Sequence, residues 1–131
     1  MTPQVRFLIA GTLAALVNWI ARFPFELAMP FPLAVLAAMV IGMVAGFLLY
    51  DRWVFPGSTR LLGAKIRDFV AVNLGSQAVM FVVSVALREM LLLGGIGVTI
   101  AGAAAHLVGI ASGAIVSFFG HRAITFGARA E

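Results

Sequence analysis

Apolar residues fall in four long blocks, parted by short breaks rich in proline, glycine or charge. A helix needs about 20 apolar residues to cross the hydrocarbon core of a bilayer. The blocks at 5–28, 31–50, 69–93 and 98–120 all meet that length and predict four transmembrane helices. Pro24, Pro30 and Pro32 punctuate the first connection, and Gly94, Gly95 and Gly97 the last. The stretch 51–68 is the one long polar connection, with Arg52, Arg60, Lys65, Arg67 and a turn at Pro56-Gly57-Ser58. Leu61, Leu62, Ile66 and Phe69 predict a short amphipathic helix there, lying on the membrane surface.

Small residues recur every four positions in two of the blocks. Ala34, Ala38, Gly42 and Gly46 form one ladder; Ala105, Gly109, Gly113 and Ser117 form the other, each rung 71 positions after its counterpart. Both blocks leave through basic, aromatic exits: Tyr50-Asp51-Arg52-Trp53-Val54-Phe55 and His121-Arg122-Ala123-Ile124-Thr125-Phe126. The closing phenylalanines keep the same offset. Small residues let helices approach closely within lipid, where no hydrophobic effect drives them together. The pattern predicts an all-α integral membrane protein. Residues 1–131 form a single domain of four transmembrane helices, built from two parallel two-helix repeats at about 5–55 and 68–126. Repeats of two helices enter the bilayer from the same side and are related by an axis along the membrane normal. The ladders are packing faces. They either close a seam between the second and fourth helices or form a dimer face.

Composition agrees. The chain has 131 residues, 63% hydrophobic and only 11% charged, against about 25% charged in a soluble domain. There is no cysteine, which excludes disulfides and thiolate metal sites. The formal charge of +4 does not indicate nucleic acid, because the basic residues flank the apolar blocks, where headgroups and orientation account for them. The first block has no clear cleavage site and reads as a retained span. Arg6, Arg52, Arg60, Lys65, Arg67, Arg122 and Arg129 fall on the side of the termini, and only Arg22 and Arg88 on the other. That bias predicts a multi-pass protein of the inner (cytoplasmic) membrane with both termini cytoplasmic.

The opening Arg6-Phe7-Leu8-Ile9-Ala10-Gly11, followed by Leu16-Val17-Asn18, resembles the first span of GtrA-like membrane proteins. Arg52-Trp53-Val54-Phe55 resembles that family's characteristic end to its second span, and Asp68-Phe69 through Arg122-Ala123-Ile124-Thr125-Phe126 repeats the plan. The resemblance covers about residues 5 to 126. It implies a small four-span protein of cell-surface polysaccharide synthesis. Some relatives are thought to move a polyprenyl-phosphate-linked sugar to the outer leaflet, and others to serve as accessory partners of glycosyltransferases. The family commonly places asparagine three positions before the motif's tryptophan. Here Tyr50 and His121 stand at those places, and Ile124 replaces the second tryptophan.

Polar residues inside the spans are the candidates for chemistry, because an Arg or Asp at a helix centre costs roughly 2.5–3.5 kcal/mol on insertion scales. Asn73, Gln77, Ser84 and Arg88 share one face of the third span. Amides suit sugar hydroxyls, and the arginine fork suits phosphate. Asn18 and Arg22, one turn apart in the first span, repeat the theme, with Glu26 beyond Pro24. Together these residues would line a polar cavity between the halves for a phosphosugar head. The plainer reading is helix-to-helix hydrogen bonding, with Arg22 neutralised by Glu26 and Arg88 by Glu26 or Glu89. Arg52 and Arg122, equivalent in the two exits, would gather a lipid phosphate, with Tyr50, Asp51 and His121 beside them and Asp51 pairing with either arginine. The plainer reading makes Tyr50 and Trp53 interface anchors and the arginines headgroup contacts. His106 either relays protons or bonds a neighbouring helix.

Nothing in the sequence supplies a nucleophile–base pair, a metal cluster or a phosphate-binding glycine loop, so no enzyme and no cofactor are expected. Three functions remain. The first is translocation of a polyprenyl-phosphate sugar lipid. The second is recruitment of a membrane glycosyltransferase through the basic loop. The third is small multidrug export, disfavoured because the first span offers Asn18 and Arg22 rather than an intramembrane glutamate. The expected partners are that lipid, ordinary membrane lipids, a glycosyltransferase and, from the small size, a second copy of the chain.

Overall fold

The computed structural model describes residues 1–57, 59 and 61–125; of these, the side chains of residues 3, 4 and 118–125 are not described. Four α-helices follow one another, α1 (Pro3–Glu26), α2 (Phe31–Leu49), α3 (Leu62–Leu93) and α4 (Val98–Thr125). A π-helical turn, Tyr50–Val54, prolongs α2. All four helices are long and apolar enough to cross a membrane. The protein is an all-α, multi-pass membrane protein.

Thr2 caps α1, its hydroxyl accepting from the Val5 N–H at 3.4 Å, and a proline in the first turn removes a donor that would lack an intrahelical partner. Pro24 lies inside α1 rather than in the connection. It is tolerated because the helix ends two residues later, where the chain tightens: Leu27 N–H donates to Pro24 C=O at 3.3 Å and Ala28 N–H to Phe25 C=O at 3.0 Å. Pro30 holds the extended conformation before α2. At the other hairpin, Ile96 N–H reaches Leu91 C=O and Gly95 N–H reaches Leu92 C=O, both at 3.0 Å. Gly95 adopts φ +82°. This is the glycine-terminated cap in which only a residue without Cβ takes the left-handed position cheaply.

The connection after α2 departs from the sequence expectation. Leu62 and Ile66 do not belong to a separate surface helix; they are the first two turns of a continuous 32-residue α3. No proline follows Pro56 in this stretch, and Ala64, Lys65 and Arg67 favour helix, so nothing interrupts it. At 1.5 Å per residue α3 is about 48 Å long, against a hydrocarbon core of about 30 Å.

The chain divides into two compact units, the first from Met1 to Val70 and the second beginning at Ala71. In the first, α1 and α2 form an antiparallel hairpin. Its seam is the small-residue ladder: a Cβ at Gly46 would lie 3.3 Å from Ala14 Cβ, and one at Gly42 would lie 2.6 Å from Asn18 Cβ. Ala34 and Ala38 on the same stripe are fully buried. In the second unit, α3 and α4 form the equivalent hairpin. A Cβ at Gly113 would meet the Ser76 carbonyl oxygen at 2.7 Å and Met80 Cβ at 3.2 Å, and one at Gly109 would run into Ser84 and the Met80 carbonyl. The ladders therefore close the α1–α2 and α3–α4 seams, a third arrangement beside the two the sequence left open.

These contacts also fix how the hairpins correspond. Gly42 meets Ala14 and Asn18; Gly113, 71 positions later, meets Ser76 and Met80, each 62 positions later. The same rung meets the same pair of positions in both hairpins. On that correspondence Arg22 answers to Ser84, Glu26 to Arg88, Gly11 to Asn73 and Ala15 to Gln77.

Candidate functional site

Two polar regions belong to the first hairpin. Toward its turn, Asn18 and Arg22 lie one helical turn apart on the face of α1 that meets the ladder. Asn18 is 5% exposed and Arg22 fully buried. The Arg22 guanidinium lies over the Phe23 ring, 4.1 Å from its centroid, and 5.5 Å from that of Phe31. Its Nη1 donates to Glu26 Oε2 in an i,i+4 ion pair. Aromatic faces and a partly exposed carboxylate thus offset part of the cost of holding a cation in an apolar setting. The i,i+4 spacing predicts the Glu26 pairing; nothing linear places Phe31 beside the guanidinium.

At the open end of the same hairpin, the exit motif is helical. Phe55 N–H donates to Tyr50 C=O at 2.9 Å, closing the wide π turn. Such turns offset the side chains that follow and occur frequently at functional sites. Tyr50 points into the hairpin end rather than serving as a simple interface anchor. Its ring stacks on Phe7 at 4.9 Å and tilts against Phe69 at 5.9 Å, and its hydroxyl lies 3.0 Å from where a Gly11 Cβ would be. Phe69 also meets Phe47 edge-on at 5.7 Å. Asp51 accepts from Lys65 Nζ at 2.7 Å, not from an arginine as the sequence suggested. Arg52 projects outward, exposed. Gly11, Lys65 and Phe69 were missed as site residues. Lys65 and Asp51 are 14 positions apart, and only the early start of α3 brings them together.

In the second unit, the expected face of α3 carries weaker polarity. Ser84 is fully buried, and its hydroxyl donates back to Met80 C=O at 2.7 Å. Ser76 likewise donates to Asn73 C=O at 2.8 Å. Both hydroxyls therefore serve their own helix. Gln77 keeps its Oε1 buried, with no hydrogen-bond partner among the described residues. Arg88 pairs with Glu89 at 2.9 Å. His106 is fully buried in α4. His121 and Arg122 lie in the last turns of α4, and their side chains are outside the described residues, as is Phe126 altogether.

The charges then fall into a simple pattern. All four described carboxylates are paired with a cation: Glu26 with Arg22, Asp51 with Lys65, Asp68 with Arg67, Glu89 with Arg88. Among the described residues, Arg6 and Arg52 have no carboxylate partner, and both flank the Phe7–Tyr50 stack at the open end of the first hairpin. No group of acidic or histidine residues able to hold a metal occurs among the described residues.

A family model for the GtrA/DPMS transmembrane domain matches residues 6–126. No curated protein and no solved structure matches the chain. Proteins of this kind are generally non-catalytic membrane proteins linked to glycan synthesis. With four membrane-length helices, two small-residue seams and a match over nearly its whole length, the chain belongs to the GtrA/DPMS transmembrane-domain family.

Proposed function

We propose that this protein moves a polyprenyl-phosphate-linked sugar across the cytoplasmic membrane for cell-surface glycan modification, and that it makes and breaks no covalent bond itself. The observation that carries the proposal is the charge balance. The four described carboxylates are matched by neighbouring cations, which among the described residues leaves Arg52 and Arg6 as positive groups at one end of the first hairpin, where an anionic lipid phosphate is attracted. In this reading both termini face the cytoplasm, and Arg52 receives the phosphate. Asn18 and Arg22 form a polar station deeper in the bilayer. The amides of Asn73 and Gln77 meet sugar hydroxyls, as Gln77 Oε1 would accept from one. Arg88 lies toward the outer side.

The test is translocation in reconstituted vesicles of a short-chain polyprenyl-phosphate sugar, comparing the wild type with Asn18→Leu/Arg22→Met. Loss of translocation in a variant that still inserts and melts normally supports the proposal; unchanged translocation overturns it. A second reading, recruitment of a membrane glycosyltransferase, is favoured by the length of α3, whose first turns expose Leu62, Ile66 and Arg67, with Leu61 exposed just before them. In that case changing these residues abolishes co-purification of the transferase, while the Asn18/Arg22 variant remains active in glycan modification.

A further inference from the structure

We infer that Lys65 is a positioning residue for phosphate recognition: by holding the Asp51 carboxylate it keeps the neighbouring Arg52 available to an anionic lipid phosphate. This rests on the reading of Arg52 given above. The chain contains three places where an arginine directly adjoins a carboxylate. At two of them the arginine turns onto its neighbour, Arg67 to Asp68 at 3.0 Å and Arg88 to Glu89 at 2.9 Å. At the third, Asp51-Arg52, it does not: the carboxylate is held by Lys65 at 2.7 Å, and Arg52 makes no ion pair among the described residues. An arginine already forked onto a carboxylate has fewer donors and less net charge to offer a phosphate. The lysine is therefore what distinguishes this site from the two self-neutralised ones.

The surrounding fold holds the lysine in place. Phe69, one turn beyond Lys65 in α3, packs on Phe47 and Tyr50, which pins the first turns of α3 beside the π turn. The Lys65 side chain is only 18% exposed, against an exposed Arg52, so the ammonium is partly withdrawn from the surface while the guanidinium is presented to it.

The experiment uses the full chain in phosphatidylcholine nanodiscs and measures retention of farnesyl phosphate, with farnesol and inorganic phosphate as controls, by native mass spectrometry. The wild type should retain farnesyl phosphate over both controls, so that the lipid and the phosphate are each required. Lys65→Ala should lower retention roughly threefold to fivefold, the range of one partly exposed ion pair. Asp51→Asn/Lys65→Ala should return it to near the wild-type level, and Lys65→Arg should keep it. A double variant as weak as Lys65→Ala overturns the inference, because the lysine would then contact phosphate itself or merely support the fold. Lys65→Ala without effect, where Arg52→Ala abolishes retention, overturns it while leaving the Arg52 reading standing. Arg52→Ala without effect overturns both.

Discussion

The two hairpins share a frame and differ in what they mount on it. Each has a ladder of small residues facing its own partner helix, and Gly42 and Gly113 meet corresponding positions in the two. Yet where the first hairpin has Asn18 and Arg22, the second has Met80 and Ser84. Where the second has Asn73 and Gln77, the first has Gly11 and Ala15. A ladder that seals each seam backbone to backbone leaves the flanking positions free to differ. Polar groups can then be traded between the hairpins without loss of packing. The second hairpin also extends further beyond its matched rungs. Position 88 answers to Glu26, where α1 ends, but α3 continues to Leu93, which adds about 7 Å at the turn.

The sharpest way to break this comparison is through the seams. Gly113→Ala would press on the Ser76 carbonyl and Gly109→Ala on the Met80 carbonyl, both at 2.7 Å, and backbone cannot swing away. Each should destabilise the second hairpin by about 2 kcal/mol, the usual cost of overpacking, seen as a lower melting temperature in detergent. Gly46→Ala, with 3.3 Å to a single methyl, should cost clearly less. Equal losses at all three positions would contradict the geometry.

The next effect separates the polar equipment. Glu26→Gln removes the charge partner of a fully buried guanidinium and should cost about 2 kcal/mol, whereas Arg22→Met keeps the apolar length and should change stability by about 1 kcal/mol or less. If Arg22→Met is the more damaging for stability, Arg22 is chiefly a structural clasp. Gln77→Leu is expected to leave stability unchanged or slightly raised, because its buried oxygen has no described partner to lose. A clear loss of stability there would show that the amide holds the hairpin together. Smallest of all, Gly75→Ala meets open space and should stabilise α3 by up to about 1 kcal/mol through helix propensity.

The spans were legible in the sequence because long apolar blocks allow little else in a bilayer. The second, third and fourth helices begin or end within a residue or two of expectation at their turn ends. The errors lie where the signals were local. Proline predicts a break at Pro24, yet near a helix end it disrupts little. The polarity of 51–68 predicts a loop with a surface helix, although only that polarity distinguishes its last residues from the rest of α3. The exit motif read as interfacial because aromatics and arginines suit an interface; nothing linear shows that Tyr50 packs over Gly11 or that Asp51 meets Lys65. The periodicity of the ladders showed that they were packing faces, but not which helix each would meet.

The most direct test of the shared frame uses the absence of native cysteine. The Gly46 position stands 3.3 Å, Cβ to Cβ, from Ala14, close to the roughly 3.5–4.5 Å of a disulfide. Ala14→Cys/Gly46→Cys and its counterpart Ser76→Cys/Ser117→Cys should both oxidise to cross-links within one chain, seen as a mobility shift with no dimer band. Cross-linking of the first pair alone, or dimers from either, would contradict the claim that both ladders close their own hairpins in the same register.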